Sequence, residues 1–386
     1  MKARLSLLFL LPRVGRSLSS AMASSLAVCP KCRGEGKLKQ RQSKKARFEN
    51  KPDQRTFKPC NPCQGSGLTA RGETTTDTPT NPPSVAIIGG GIGGLALGLA
   101  CWHRNIPFKV FERDKCFLER QQGYGLTLQQ ASKALKGFGL ELQGGITSTR
   151  HVVHTPNGDQ IGEWGLRKWG RDKTTAVKRQ NVHIARQALR GQLLDDLQNQ
   201  VEWNCQLISM NETETDVELT FRRTDGTEHK TKADLVVGAD GIRSTVRSLM
   251  IGETTTPLRY LGCIVILGIC PLEAIDAESE LLDGHSVFQT ADGTTRLYAM
   301  PYSETEYMWQ LSFPVDEQEA LSISNEKRLK QAALEKCSAW HTPIPQLLEA
   351  TPSSLISGYP VYDRALLEKE MLDNSKRITL LGDAAQ

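Results

Sequence analysis

The chain has 386 residues, enough for two or three domains with a large buried core. Its charge is unevenly placed: residues 1–83 carry 16 Lys and Arg against 5 Asp and Glu, whereas residues 84–386 carry 32 against 38. A mildly acidic body argues against nucleic acid as the main ligand, and no apolar run approaches the ~18 residues that would cross a bilayer as a helix.

Residues 1–28 read as a targeting peptide. Lys2, Arg4, Arg13 and Arg16 are basic, serines are frequent, and no acid precedes Glu35. This composition suits an organelle transit peptide, mitochondrial or other. A secretory signal is the rival, on the apolar "LSLLFLLP" and the A-x-A site at Ala21–Ala23, but Arg13 and Arg16 follow the apolar stretch. A start at Met22 would leave a cytoplasmic chain without an address.

Four of the ten cysteines fall in a duplicated pattern, "CPKCRGEG" (Cys29, Cys32) and "CNPCQGSG" (Cys60, Cys63). Two thiolates three residues apart can grip one tetrahedral ion, and the glycines let the backbone turn back beneath it. Two such knuckles supply four ligands, so residues 29–68 are expected to form a small structural zinc module. The loop between them is basic and without apolar period, so metal would drive its folding. A pair of disulfides, which needs an oxidising compartment, and four unrelated thiols are the alternatives. The repeated unit resembles half of the cysteine-rich region of DnaJ-type co-chaperones. Its basic loop suggests an acidic protein partner, or only a solvated face. Residues 69–83, rich in Thr and Pro, read as a linker.

A dinucleotide fingerprint follows. Val85–Ile88 is an unbroken apolar run, as a buried parallel strand should be. Gly89, Gly91 and Gly94 then give G-x-G-x-x-G: one for the tight turn, one for close backbone approach to a pyrophosphate, one for helix–strand packing. Asn105 stands where the helix must end in a left-handed residue. A second strand, "FKVFE", ends at Glu112, 18 residues after Gly94, where a carboxylate can meet ribose hydroxyls. These features point to a dinucleotide without distinguishing FAD from NAD.

Two further motifs come in order: "ADLVVGADGIRSTVRS", with Asp240 and Gly241 after an apolar strand, and "RITLLGDAAQ", with Asp383. Together with the glycine fingerprint, "GYGLTLQQASKALKGFGL", "ARQALRGQLLDDL" and "YPVYDR", they resemble the group A FAD-dependent monooxygenases of the salicylate and p-hydroxybenzoate hydroxylase type. The resemblance covers residues 84–386. It implies an α/β fold: a Rossmann-like FAD-binding domain (84–145, 180–250 and 352–386) with an inserted, mainly antiparallel β-sheet substrate domain (146–179 and 251–351). It implies that Gly89, Gly91 and Gly94 cradle the FAD pyrophosphate, that Glu112 binds the adenosine ribose with Arg113 beside it, and that Arg186 reaches the flavin nucleotide. Asp240 and Gly241 would lie near the pyrophosphate and serve both FAD and NAD(P)H, and Asp383 would accept from the ribityl chain. Each has a plainer reading: a helix-surface arginine for Arg186, an ordinary turn for Asp240-Gly241, an N-cap for Asp383.

Within residues 251–351, "YMWQLSFPV" alternates Tyr307, Trp309, Leu311 and Phe313 on one face with Met308, Gln310 and Ser312 on the other, the mark of a sheet with one face buried. Tyr298, Met300 and Trp309 are candidate pocket residues, with core packing the plainer role for each. "EKRLKQAALEKCSAW" reads as an amphipathic helix.

The implied activity is hydroxylation of a small aromatic or related electron-rich substrate: NAD(P)H visits transiently and reduces FAD, and O2 then adds to give a flavin hydroperoxide. No catalytic acid or base is legible. Epoxidation or dehydrogenation on the same scaffold is the near alternative, and a non-catalytic zinc-anchored binding protein the distant one. The resemblance further implies a P-x-x-G-x-G-x-N segment after residue 386, with the chain as a fragment, and family members usually carry His where this chain has Gln386.

Overall fold

The computed structural model describes residues 26–39, 57–70, 82–119, 124–129, 134–135, 137–165, 181–323, 325–373 and 375–386. The expected targeting peptide up to residue 25 and most of the linker lie outside the described residues.

One body is organised by a five-stranded parallel sheet in the order Val201–Glu202, Phe108–Phe111, Val85–Ile88, Leu235–Gly238, Ile378–Leu380. Val85–Ile88 runs at its centre and all four residues are buried, which is why that stretch carries no polar residue. The helix Ile92–His103 follows, sending Leu95 and Leu99 into the core. It stops where expected: Asn105 has φ +52°, and the next amide, Ile106 N, returns to Cys101 O at 3.0 Å. Three neighbouring strands end at Ile88, Gly238 and Leu380, so motifs far apart in sequence meet at one carboxyl edge of the sheet. In open α/β sheets that edge is where ligands bind.

A three-stranded antiparallel sheet (Gln206–Glu212, Val217–Arg222, Glu228–Ala233) covers one side of this body, with Phe221 stacked on Phe111 at 4.4 Å between centroids. The remaining body is a seven-stranded sheet, antiparallel except where Ser286–Ala291 pairs parallel with Arg150–His154. One face carries Trp309, Leu311 and Phe313 against the helices Glu326–Cys337 and Ile344–Ala350. Trp309, a candidate pocket residue in the sequence, is fully buried there, its Nε1 donating to Thr351 Oγ1 at 2.9 Å. Tyr298 and Met300 lie on the opposite face with Val287, Met308 and Ile269.

Two strands fall in sheets other than those the family resemblance implies. Ile356–Asp363 pairs with Arg259–Pro271 as the edge of the seven-stranded sheet, rather than with the FAD-binding segments. Ile146–Thr147 pairs with Val182–Ala185, which also pairs Gly125–Leu128. That small sheet packs closely on the large one: a Cβ added at Gly125 would lie 2.1 Å from Met300 Cε.

In the small sheet His183 is fully buried, with Nδ1 3.0 Å from Thr127 Oγ1 and Nε2 without a partner among the described residues. Burial, and then the nearby His151, push its pKa from 6.5 down to about 4. The unfolded chain therefore binds a proton more readily between those values. Stability is unaffected above neutrality and falls as the pH drops from about 6.5 to about 4, by roughly 3 kcal/mol for a shift of this size. Urea unfolding at pH 7.5 and pH 5 should show about 2 kcal/mol of that loss, and His183→Asn should flatten it; an equal slope in both proteins would show that His183 does not set the acid limit.

The two cysteine knuckles fold as near-copies. Leu26–Val28 pairs antiparallel with Leu68–Ala70, and Lys37–Lys39 with Phe57–Pro59. The second pair of glycines is needed for contact between knuckles. Gly36 and Gly67 have positive φ, and added Cβ atoms would lie 2.3 Å from Gly65 O and 2.4 Å from Gly34 O.

Candidate FAD site and four-cysteine cluster

The carboxyl edge of the parallel sheet opens into a cavity of about 300 Å³. Gly89, Gly91, Glu112, Arg113, Arg186, Asp240, Gly241 and Asp383 all line it. Gly94 does not; it lies beneath, where a Cβ would sit 1.9 Å from Gly89 O. Gly89 (φ +111°) turns hard against Ala239, with 2.4 Å from an added Cβ to the Ala239 carbonyl oxygen. Gly91 differs from both: nothing lies within 4 Å of the position its Cβ would take. The helix that starts behind it has no acid in its first turn and no side-chain cap, so its leading amides are left to a ligand.

Glu112 is buried, and both its oxygens are engaged. Oε2 accepts from Gly90 N at 2.7 Å, and Oε1 from Asp114 N at 3.1 Å. It thus braces the glycine turn from the next strand. Arg190, which the sequence reading did not single out, completes the brace. It is 4 % exposed, its Nε donates to Gly90 O at 2.8 Å, and its Nη2 stands 3.8 Å from Glu112 Oε2. Phe117 and Trp203 flank its guanidinium at 5.2 and 5.6 Å.

Arg186 opens the helix Arg186–Leu194, with its guanidinium 5.3 Å from the Tyr124 ring centroid. Burial raises the Tyr124 hydroxyl pKa; Arg186 opposes this and Asp383 adds to it, so these three groups share one corner of the cavity. Asp240 acts as a cap: Oδ2 accepts from Thr245 N at 2.7 Å and Val246 N at 3.2 Å, while Ser244 Oγ donates to Oδ1. From its place in the wall Asp240 thus holds the first amides of the helix Thr245–Ile251, a role beyond the ordinary turn offered by the sequence, and Gly241 beside it has φ +81°. Asp383 sits in a short 3-10 turn, Gly382–Ala384, and caps no helix there. Arg113, Arg186, Arg190 and Arg243 supply the cavity with cationic groups suited to a pyrophosphate.

The Sγ atoms of Cys29, Cys32, Cys60 and Cys63 all lie within 4.8 Å of one another, buried, with Gly36 N donating to Cys32 Sγ at 3.3 Å. All four are unpaired thiols, and their closest approaches, 3.6 and 3.9 Å, run between knuckles. A four-thiol cluster of this kind fits one tetrahedral ion.

A family model described as "FAD binding domain" matches residues 83–386. The chain belongs to this FAD-binding family. It is 29% identical over 316 residues to aurachin C monooxygenase/isomerase of Stigmatella aurantiaca, covering 78% of this chain and 74% of that protein. It is 24% identical over 317 residues to 6-hydroxynicotinate 3-monooxygenase of Pseudomonas fluorescens, covering 78% and 76%. The fold matches that of HpxO from Klebsiella pneumoniae complexed with FAD and uric acid, with TM-score 0.63, 20% identity, and coverage of 78% and 73%. With several relatives named as FAD-dependent monooxygenases, this family member is a flavin monooxygenase of the group A type.

Proposed function

We propose that this FAD-binding family member uses NAD(P)H and O2 to hydroxylate a small aromatic or related electron-rich substrate, and that zinc holds its N-terminal module. One observation carries the first part. Eight residues from five separated stretches, each implied by the resemblance, line a single cavity at the carboxyl edge of the parallel sheet.

Bound FAD supplies the redox and oxygen chemistry; the protein binds, orients and excludes water. Gly91 leaves room for the pyrophosphate, and Glu112 with Arg190 keeps the glycine turn in shape for it. Arg113, exposed at the rim, and Glu112 serve the adenosine side, while Arg186, Tyr124 and Asp383 serve the ribityl and flavin side. NAD(P)H is expected to visit transiently, as the family resemblance implies. Cys29, Cys32, Cys60 and Cys63 supply four thiolates to zinc.

Purified protein is expected to show the visible flavin band and to oxidise NAD(P)H faster when an aromatic substrate is present. Isotopically labelled dioxygen should then place one oxygen atom in the product. NAD(P)H oxidation with no oxygenated product from any of a phenol and N-heteroaromatic panel would overturn hydroxylation, and a colourless protein that cannot be loaded with FAD would overturn the enzyme reading.

A further inference from the structure

The four-cysteine module is not a free appendage. It lies against the far end of the helix Ile92–His103, whose near end forms the FAD cradle. Leu26–Val28 touches this helix. A Cβ added at Gly139 would lie 2.3 Å from Leu26 Cδ1, and one at Gly137 would lie 2.9 Å from Ser66 O. From the other side, a Cβ at Gly34 would lie 2.7 Å from Arg104 Nη2. Three glycines thus admit close contact across this junction, and their chain partners are Leu26, Ser66 and Arg104.

The surfaces touched belong to the nucleotide core. Arg104 follows the helix directly, with Nη1 on Ala100 O at 3.1 Å. His103 Nε2 bonds Phe138 O at 2.9 Å, tying the last helical turn to the Leu135–Leu140 turn that the module covers. Leu135 and Leu140 share one core with Leu95 and Leu99 of the same helix. A 12-residue helix is about 18 Å long, so the module grips one end of a rigid rod whose other end is the cradle.

We infer that this surface is an intramolecular docking interface, through which the metal state of the module sets how tightly the chain holds FAD. The inference rests on the FAD and zinc assignments proposed above. Without metal the module cannot keep its four cysteines together, and Leu26 and Ser66 lose their fixed places. The helix end and the Leu135–Leu140 turn then lose their cover, and the cradle becomes one of several arrangements of the helix. Coupling between binding sites is reciprocal, so zinc should tighten FAD and FAD should tighten zinc by the same factor.

The test uses full-length, flavin-free protein, either loaded with Zn2+ or stripped with a chelator. FAD is titrated by flavin fluorescence and Zn2+ by competition with a chromophoric chelator. Stripping is expected to weaken FAD binding about tenfold, within the range usual for coupled sites, and FAD to strengthen Zn2+ binding equally. Leu26→Asp should keep one zinc and still weaken FAD; Arg104→Ala, outside the Leu26–Val28 strand, should do so more mildly. FAD affinity equal within twofold in loaded and stripped protein overturns the inference and leaves the two assignments standing. Protein that takes up FAD but never Zn2+ overturns the zinc assignment and this inference together.

Discussion

Gly91→Val is expected to leave the protein folded and to weaken its hold on FAD. Gly91 has φ −78° and ψ −176°, an extended conformation open to any residue, and no atom lies within 4 Å of an added Cβ. The protein itself therefore does not require glycine there. The position lines the cavity beside Gly89 and Asp240, where a pyrophosphate must meet backbone amides, and two methyl groups would occupy that space. Forcing atoms into a filled contact costs about 1–3 kcal/mol, so the FAD Kd should rise roughly 5- to 150-fold. Gly94→Ala should behave in the opposite way. Its Cβ would lie 1.9 Å from Gly89 O and 3.2 Å from Gly89 C, backbone atoms that cannot turn aside. That variant should melt several degrees lower even without FAD. Thermal melts of the flavin-free proteins, followed by FAD titration, separate the two cases. Wild-type FAD affinity in Gly91→Val would show that the pyrophosphate does not approach this turn.

The contrast between these two glycines marks what could be read from the sequence and what could not. The fingerprint named the three positions, and the uninterrupted Val85–Ile88 run placed them at the end of a doubly flanked strand. Period-two alternation likewise gave the buried face of Glu306–Pro314, where Trp309 faces the helices. Local signals stop there. Arg186 and Arg190 stand four apart on one helix face, and nothing beside them says which is buried. The burial of Arg190 is decided by Phe117, Trp203 and a carbonyl a hundred residues away in sequence. Glu112 was legible as a carboxylate at a strand end, but not as the acceptor that holds Gly90 and Asp114. The strand Ile356–Asp363 carried one usable sign: Pro360 cannot donate to a ladder and so belongs on an edge strand, its position in the seven-stranded sheet. A fingerprint fixes where backbone must bend; the partners of a long side chain depend on tertiary packing that no short window contains.

Arg247→Met is expected to lower stability by about 1–3 kcal/mol, the loss usual when buried acceptors are left without their donor. Arg247 is 1 % exposed, and its guanidinium donates to one hydroxyl and to three main-chain oxygens. Nε donates to Thr256 Oγ1 at 2.9 Å, Nη2 to Ala365 O at 2.9 Å, and Nη1 to Ala384 O at 3.2 Å and Gln386 O at 2.6 Å. Burial, and then the neighbouring Arg364, pull its pKa below the usual arginine value, so the site strains against its charge and holds it through geometry. Arg364 adds bonds to Ile242 O at 2.7 Å and to Thr256 O. Two arginines thus tie the Asp240-Gly241 segment, the end of the Ile356–Asp363 strand and the turn bearing Asp383 into one block. Methionine fills much of that volume but donates to none of those oxygens, and the buried ones, on Thr256 and Ala384, would lose this donor. Lysine keeps the charge, yet its single ammonium cannot reach acceptors spread across a planar fork, so Arg247→Lys should recover only part of the loss. Urea unfolding of the three flavin-free proteins measures this order. FAD affinity should fall in the same order, because Asp383 loses its fixed position whenever the Ala384 carbonyl is released. A lysine variant as stable as wild type would show that a point charge suffices, and that the fork does not hold the block together.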